Sequence, residues 1–477
     1  MLPVKGVMPL TRTERLLRVF TDVRPGEGST ALLMFANVFL ILCAYYLIKP
    51  LREGWIAISG IPSLSKMEVK AYSSLAQSLL LIFVVGRYAR LVDRFPRATV
   101  IKRATLFCMS NLVIFWVLQP EFFLQGLPGT GVIFYLWVGM FGVFVVAQFW
   151  AFAADLYTQE QGARLIPLVA IGATAGAAFG AWITQTLIDA GLLPTEYLLL
   201  AAIVPLAASM GLTQMADRRM PAATETTSKA QDAKVDESAA KAPPPSTGGS
   251  FGLVFAHRYL LLVALTTLLV NWVNTNGENL LFRVVQEVLA SNALDQGVTG
   301  ERQILEFTRD GTTAFYGGFY FWVNTVALVL QSLVASRLLK YGGFGVLFMM
   351  LPVVALASYT AMALVPIIAV VRLMKIAENA TDYSLNNTAR SVLWLPLSAE
   401  LKYKGKPVID TFFVRVGDGL AALTVMVGVQ VLALRTASFF AFNVALVLVW
   451  IGVAALVVRE YRRTVATSAD SGSVAGA

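Results

Sequence analysis

Polar and charged side chains recur at three- or four-residue steps through an otherwise apolar segment between Pro366 and Pro396. They are cations, carboxylates and amides: Arg372, Lys375, Glu378, Asn379, Asp382, Asn386 and Arg390. On an α-helix, with about 100° per residue, they fall within an arc of about 120°. A charge placed near the centre of a bilayer costs on the order of 2.5–3.5 kcal/mol. The stripe therefore predicts a helix that faces a partner helix or a water-filled cavity.

These residue types suit the binding of an anion. Lys and Arg neutralise phosphate oxygens and donate hydrogen bonds to them, so we expect Arg372 and Lys375 to bind substrate. Asn379 and Asn386 would orient its polar parts. Carboxylates either balance the cations of an empty site or carry protons, with burial raising and a nearby cation lowering their pKa. Glu378 and Asp382 are assigned to these two roles without a choice between them.

Charges also stand at the end of the first apolar run, in the sequence KPLREGW. The long side chains of Lys49 and Arg52 either snorkel to the lipid headgroups or meet an anionic ligand. We expect both to bind substrate, with Glu53 as a balancing carboxylate. Residues 271–283 form a second such place, either an unwound helix end that lines a cavity or an ordinary capped terminus. Its candidate substrate residues are Asn274 and Glu278.

The third place, residues 402–418, reads KYKGKPVIDTFFVRVGD. Its lysines are expected on a cytoplasmic loop, where a lipid-facing patch is the simple interpretation. Arg415 and Asp418 enter the next apolar run and are spaced to pair at i, i+3. We assign this group to gating or to the cytoplasmic loops: Lys402, Lys404, Lys406, Asp410, Arg415 and Asp418.

Composition sets the class of protein. Hydrophobic residues make up 57% of the chain, charged residues only 14%, and the mean hydropathy is +0.67, which predicts a multi-pass membrane protein. One histidine, His257, and the cysteines Cys43 and Cys108 provide no basis for a metal site or a disulfide framework. The net charge of +9 comes from loops rather than from a nucleic-acid-binding surface. No cofactor is expected.

Apolar runs of about 20 residues can cross a bilayer, and the sequence predicts twelve of them. Residues 216–250 are rich in Ala, Pro, Ser and charge, which predicts a disordered cytoplasmic linker. The expected fold class is an all-α integral membrane protein with twelve transmembrane helices in two six-helix halves. The halves span 29–215 and 251–458, after a cytoplasmic segment with an interfacial helix at 1–28 and before a cytoplasmic tail at 459–477.

The distribution of basic residues predicts the orientation. With both termini in the cytoplasm, most of the 38 Lys and Arg residues fall in inner segments, as the positive-inside rule requires. The outer loops then hold Lys49, Arg52, Lys66, Lys70, Arg283, Arg302, Arg309 and Arg435. We therefore expect a bacterial inner-membrane protein, with a sizeable external loop between Arg283 and Asp310.

Similar segments in the two halves suggest an internal repeat. A shift of about 227 residues places Gln148 on Lys375 and Asp155 on Asp382, with Arg164 one step from the equivalent of Arg390. Such repeats are typical of secondary transporters with a site at the bilayer midplane. We accordingly expect Asp155 to balance charge or couple protons, and Arg164 to act in gating.

Three segments resemble the ATP/ADP translocase family of the major facilitator superfamily. They are the KYKGKPVIDTFFVRVGD string, LIKPLRE at the first span, and DLYTQEQGARLIPLVAIGATAG. The sequence GRYARLVDRFPR resembles the superfamily's basic loop between spans 2 and 3, with Asp93 and Arg94 as its gating residues. Two departures are notable: Lys49 and Arg52 stand in exchanged order, and Asp418 replaces a lysine found in many members. The resemblance implies a transporter fold and nucleotide substrates.

The leading hypothesis is therefore a secondary active transporter for a nucleotide or another anionic metabolite, expected to be a monomer. No Gly-x4-Gly-Lys-Ser/Thr loop is present to bind and hydrolyse ATP, and no nucleophile–base pair or metal cluster indicates an enzyme. Two alternatives remain open. One is a major-facilitator transporter of another phosphorylated metabolite, and the other is a non-transporting assembly factor or receptor.

Overall fold

The computed structural model describes residues 14–15, 18, 21, 23–92, 97–119, 129–218 and 250–474. The predicted gating residues Asp93 and Arg94, and nearly all of the predicted linker, lie outside these ranges. The described chain is almost entirely helical. Its α-helices are α1 Gly28–Ala57, α2 Lys66–Val92, α3 Arg97–Val117, α4 Thr130–Leu156, α5 Gln159–Asp189, α6 Leu198–Asp217, α7 Ser250–Ala256, α8 Arg258–Asp295, α9 Glu301–Val329, α10 Ala335–Leu364, α11 Ile368–Thr381, α12 Asn387–Leu393, α13 Ala399–Val408, α14 Val414–Met426 and α15 Thr436–Val474.

Ten stretches of the described chain are long and apolar enough to cross a membrane. The protein is thus a multi-pass membrane protein, as its composition predicts. One stretch, Glu301–Leu364, is 64 residues long and turns at Gly343, whose φ of +71° belongs to the left-handed region that favours glycine. The charged segment from α11 to α12 is not among the ten.

The chain packs into two compact units. The first comprises Met1–Leu51, Gly86–Leu127 and Trp137–Pro243, and the second comprises Arg52–Val85, Pro128–Leu136 and Pro244–Ala477. The first unit therefore holds most of α1 and of α4, together with the whole of α3, α5 and α6. The second holds α7 to α15 together with the end of α1 and most of α2. The boundary falls within α1, α2 and α4, so each of these helices contributes to both units.

Small residues bring α1 and α5 together in the first unit. A Cβ added to Gly172, Gly176 or Gly180 would overlap the backbone of α1 at Phe35, Phe39 and Cys43. A glycine every fourth residue lets two helix backbones approach closely. Farther along the same two helices, the hydroxyl of Thr184 donates to the Tyr46 carbonyl at 3.3 Å.

Helix α8 is 38 residues long and packs against α14 and α15. It runs without interruption from Arg258 to Asp295, so the predicted unwound or capped end at 271–283 is wrong. The end of α8 and the start of α9 occupy most of the expected external segment between Arg283 and Asp310. The sequence from 278 to 295 contains no Gly or Pro, and the helix ends just before Gly297, at φ +68°, an ordinary helix-stop conformation.

The charged stripe lies on α11, a π-turn at Asp382–Asn386, and α12. A π-turn inserts an extra residue into the helix and often marks a functional site. A second π-turn, Ile409–Phe413, follows α13 and leads into α14. The three lysines predicted on a loop lie instead on α13, whose first turn is capped by the Ser398 hydroxyl accepting from the Leu401 amide at 3.4 Å.

Candidate functional site

Lys375 is the centre of the charged stripe, and its side chain is 0% exposed. Its Nζ lies 2.9 Å from Oε2 of Glu378, one turn along α11, and 3.5 Å from Oε1 of Glu278 on α8. It also donates to Oδ1 of Asn274 at 3.4 Å. An ammonium buried in a membrane protein needs such partners because its dehydration is costly. Residues predicted at two separate places in the sequence thus meet around one cation.

Both carboxylates around Lys375 have a second hydrogen-bond donor. Tyr359 of α10 donates its hydroxyl to Oε1 of Glu378 at 3.0 Å. Asn379 donates its amide to Oε1 of Glu278 at 2.7 Å. Gly277 makes room for this arrangement, since an added Cβ would overlap the Tyr359 hydroxyl and lie 2.9 Å from Nζ of Lys375. Either carboxylate would keep a partner if Lys375 moved away.

A second cation–carboxylate group adjoins the first. Glu53, 1% exposed, accepts from Arg52 at 2.5 Å and lies 2.9 Å from Nζ of Lys70. Lys70 also donates to the backbone carbonyl of Glu278 at 3.3 Å and to the Tyr316 hydroxyl at 3.3 Å. Lys70 therefore joins the two groups through the backbone of α8.

We call these six charged residues the Lys375 network: Arg52, Glu53, Lys70, Glu278, Lys375 and Glu378. Their charges alternate in sign along the chain of contacts, so the network is neutral when every member is ionised. Neutrality offsets the dehydration of each buried charge. It also means that a bound anion must take over a cation from a carboxylate.

Arg372 does not join this network, although it shares the predicted stripe. Its guanidinium lies 5.5 Å from the centre of the Phe315 ring, a cation–π distance. Within the described chain it forms no ion pair. Arg372 and Lys375 therefore have different neighbours, although they lie three residues apart on α11.

The other end of the stripe forms separate pairs. Asn386 donates to Oδ1 of Asp382 across the π-turn at 2.7 Å. Arg390 and Asp410 lie 3.0 Å apart, both partly exposed. Asn386, Arg390 and Asp410 line a small pocket whose wall includes Trp394. The predicted substrate residue Asn386 thus lies apart from Lys375, beside residues predicted to act in gating.

Asp418 is held by three helices of the second unit. Its carboxylate accepts from Arg415 at 3.2 Å and from the Thr275 hydroxyl of α8 at 2.9 Å. The Ser78 hydroxyl of α2 also donates to it, and Arg415 donates to Ser78 at 2.5 Å. The predicted i, i+3 pair therefore exists, inside a helix contact rather than on a loop.

Solved structures with the same arrangement of helices are transporters. The D-xylose–proton symporter matches with a TM-score of 0.59 at 14% identity, over 90% of this chain and 96% of the other. An auto-inhibited peptide transporter of the POT family matches with a TM-score of 0.58 at 12% identity, over 90% and 97%. A bacterial homologue of the human lysosomal transporter Spinster matches with a TM-score of 0.50 at 13% identity, over 94% and 99%. These likenesses show the major facilitator fold.

The sequence comparison is more specific. Residues 313–461 match the family model described as TLC ATP/ADP transporter. The chain is a membrane transporter with an ATP/ADP-transporter region. This finding confirms the resemblance seen in the sequence, and the matched region contains Tyr359, Lys375 and Glu378. A comparison with curated protein sequences finds no match.

The remaining predicted residues of the transporter lie in other surroundings. Lys49 is buried, with Nζ 4.8 Å from the centre of the Tyr46 ring. Asp155 is half-buried near the end of α4. On α13, Lys404 pairs with Glu400 at 2.7 Å, Lys402 donates to a backbone carbonyl, and Lys406 lies 5.9 Å from the Trp394 ring.

Arg164 forms an ion pair that the sequence does not reveal. Its guanidinium donates to both carboxylate oxygens of Glu27, at 2.8 and 2.9 Å. These hydrogen bonds hold the pKa of Glu27 below its ordinary value of 4.5. The Arg24 backbone amide and Gln161 donate to the same carboxylate. The predicted gating residue thus joins the start of α5 to the residue before α1.

Sequence reasoning missed Lys70 of the network and the two tyrosines that hydrogen-bond to it, Tyr359 and Tyr316. Lys70 was assigned only to an outer loop. A cation on the outer side of the membrane, where the positive-inside rule disfavours cations, could have indicated a binding or pairing role. A tyrosine inside an apolar span also needs a hydrogen-bond partner when buried. In the described part of the chain, no cluster of His, Cys, Asp and Glu could hold a metal ion.

Proposed function

We propose that this protein is a secondary active transporter of an anionic, phosphorylated solute, and that the solute is a nucleotide of the ATP/ADP type. The observation that carries the proposal is Lys375. Its ammonium is fully buried within the region that matches the ATP/ADP transporter model. Within the described ranges, its ion pairs and hydrogen bonds are made with groups on α8 and on its own helix. An incoming anion could replace one of these carboxylates.

The proposed binding step is an exchange of partners. A phosphate oxygen takes the place of Glu278 at Lys375, since 3.5 Å is the longer of the two ion-pair distances. Asn379 remains hydrogen-bonded to Glu278, and Tyr359 remains hydrogen-bonded to Glu378. These partners lower the cost of releasing each carboxylate, because an unsatisfied buried charge is strongly unfavourable. The empty site is neutral because Lys375 is paired with carboxylates. In the loaded site, the same lysine is paired with the phosphate.

Arg372 supplies a second donor to the phosphate chain in this proposal. It has no carboxylate partner within the described chain and is held by the Phe315 ring. A guanidinium presents a planar set of donors suited to two phosphate oxygens. A substrate with two or three phosphates would reach beyond Lys375 to a second cation.

We further propose the arrangement in the membrane. Twelve helices in two six-helix halves, 29–215 and 251–458, move around the site by alternating access. The long stretch Glu301–Leu364 supplies two of the spans, and the α11–α12 segment supplies another. Both termini face the cytoplasm of a bacterial inner membrane, as the basic residues indicate, and the functional unit is a monomer.

The test is uptake of labelled ATP into proteoliposomes that contain the purified protein, with and without internal ADP. We expect uptake that internal ADP accelerates if the mechanism is exchange, and uptake that a proton gradient accelerates if it is symport. Labelled phosphorylated sugars and inorganic phosphate, assayed in parallel, distinguish another anionic metabolite from a nucleotide. Absence of uptake and of binding for all these solutes would contradict the proposal.

A non-transporting role has one observation in its favour. The Lys375 network is neutral and each of its charges already has a partner, as expected if the charges only join helices. That role predicts that the double variant Lys375→Gln, Glu378→Gln keeps the protein's cellular function. The transporter proposal predicts that the same variant folds and loses it.

A further inference from the structure

A cleft of about 410 Å³ lies between the start of α2, the second half of α8 and the turn that precedes α15. Its polar lining consists of Ser65 and Lys66 from α2 and Arg283, Gln286 and Glu287 from α8. Binding sites for small molecules have volumes of about 300–1,000 Å³. The cleft is therefore large enough for the phosphate chain and sugar of a nucleotide.

The two cations of the cleft are weakly neutralised. Lys66 donates to the amide oxygen of Gln286 at 3.3 Å and forms no ion pair within the described chain. Gln286 is itself oriented by its amide donating to the Thr312 hydroxyl at 2.9 Å. The nearby carboxylate of Glu68 accepts from Ser65 and Gln430 instead. Lys66 thus has N–H groups free to donate to a further acceptor.

Arg283 has a carboxylate partner that can be released. Its Nε donates to Glu287 at 2.8 Å, and its Nη1 donates to the Leu434 carbonyl at 3.3 Å. The Thr436 hydroxyl donates to the same Glu287 at 3.1 Å. Glu287 therefore keeps a hydrogen bond if Arg283 turns to another anion. With two cations and one carboxylate, the lining of the cleft is net positive.

The two helices that line the cleft, α2 and α8, continue to the Lys375 network. Lys66 precedes Lys70 by one turn of α2, and Gln286 follows Glu278 by about two turns of α8. Hydrogen bonds join α2 to α8 at both levels, from Lys66 to Gln286 and from Lys70 to the Glu278 carbonyl. In the proposed orientation, this end of α2 and α8 faces the outside, where the positive-inside rule disfavours cations.

We propose that the cleft is an external binding site for the phosphate groups of a nucleoside di- or triphosphate, with Lys66 and Arg283 as its phosphate-binding residues. The site captures the anion before it reaches Lys375. The inference rests on the proposed function and orientation for its place in transport. Binding itself can be measured without transport.

The transport test compares Lys66→Gln, Arg283→Gln and their double variant in oriented proteoliposomes. We expect the double variant to raise the half-saturating concentration of external ATP by about 10-fold, since each lost contact is a charge-assisted hydrogen bond. The maximal rate should stay within about two-fold. The matched control is Arg302→Gln, which removes an exposed cation of α9 that pairs with Glu306 and does not line the cleft. Its half-saturating concentration should not change.

Inorganic pyrophosphate binding to the purified protein separates the cleft from the transport proposal. We expect Lys375→Gln, Glu378→Gln to bind pyrophosphate through the cleft, and the same protein with Lys66→Gln and Arg283→Gln added to lose this binding. This result would support the cleft even if no nucleotide were transported. Equal binding with and without the two cleft substitutions, or no binding by Lys375→Gln, Glu378→Gln, would overturn the proposal.

Chemical labelling gives a third measurement. A cysteine introduced as Ala433→Cys lies in the lining of the cleft, whereas native Cys43 and Cys108 are buried. A membrane-impermeant maleimide should label this cysteine from outside, and ATP should slow the labelling. Labelling at an unchanged rate in saturating ATP, or labelling from the inside only, would contradict an external site.

Discussion

Lys375 and Glu378 form an ion pair one turn apart on α11, with Nζ 2.9 Å from Oε2 and both side chains buried. On an exposed helix such an i, i+3 pair contributes about 0.2–0.5 kcal/mol. Buried, it has a different role, because either charge alone would be strongly unfavourable. The pair therefore keeps a cation buried inside the protein, where an incoming anion can bind to it.

Removing one member of this pair should destabilise the protein more than removing both. Lys375→Gln leaves the carboxylate of Glu378 without its cation, and we expect a loss of about 3–5 kcal/mol in the free energy of unfolding. Lys375→Gln, Glu378→Gln should recover most of this loss. The matched control is Arg372→Gln on the same helix, where we expect less than about 1 kcal/mol. Thermal unfolding in detergent measures all four proteins, and equal stability of single and double variants would contradict the pairing.

The pair of Glu53 and Lys70 should show strong energetic coupling. Both side chains are almost fully buried and their charged atoms lie 2.9 Å apart. We expect a double-mutant cycle with Glu53→Gln and Lys70→Gln to give a coupling energy above about 1 kcal/mol. The exposed pair Arg302 and Glu306 is the control, with an expected coupling of about 0.3–0.5 kcal/mol. A coupling near zero at Glu53 and Lys70 would show that they do not interact in the folded protein.

Gly277 should resist substitution because of the space that it leaves beside Lys375. In Gly277→Ala, the new methyl group would overlap the Tyr359 hydroxyl, and we expect a loss of about 1–3 kcal/mol in stability. The control is Gly452→Ala on α15, where an added Cβ meets nothing within 4 Å. That change should be neutral or stabilise by up to about 1 kcal/mol. Thermal unfolding compares them, and a Gly277→Ala protein as stable as Gly452→Ala would rule out the close contact.

The ion pair of Glu27 and Arg164 should make stability depend on acidity. Because Arg164 lowers the pKa of Glu27 below 4.5 in the folded protein, the carboxylate stabilises the fold above pH 4.5. That stabilisation should disappear as the pH falls through the lowered pKa. The midpoint of thermal unfolding should therefore be higher for wild type than for Glu27→Gln at pH 7, and the two should converge as the pH falls through the lowered pKa of Glu27. A difference that persists unchanged at low pH would contradict the assignment.

Sequence reasoning identified the fold class and many of the site residues for clear physical reasons. Apolar runs and the scarcity of charge predict membrane helices, and a stripe of charge on one helix face predicts buried partners. Glu278, Lys375, Glu378 and Asn379 were all named in advance. Their grouping was not, because Glu278 stands about a hundred residues from Lys375 and only the packing of α8 against α11 brings them together.

The errors arose where local patterns were read without tertiary context. Polar residues around Gly277 resemble a helix end, yet α8 continues through them, and buried Asn276 donates its amide to Asn443 of α15. In the sequence, Arg372 and Lys375 look equivalent because both lie on the stripe. In the structure, Arg372 packs on the Phe315 ring and Lys375 lies between two carboxylates. Lys70 was missed because a single cation near the start of a span has no partner in its own segment.

The central claim is that Lys375 exchanges a carboxylate for a phosphate of the substrate. The most direct measurement is equilibrium binding of labelled ATP to the Lys66→Gln, Arg283→Gln protein, which lacks the cleft cations, and to the same protein with Lys375→Gln and Glu378→Gln added, with folding of both verified by thermal unfolding. The account predicts that the protein that keeps Lys375 binds ATP and that the folded protein without it binds ATP at least about 10-fold more weakly, as expected for loss of a charge-assisted contact. Equal affinity in the two folded proteins would show that Lys375 only joins helices, and would contradict the account.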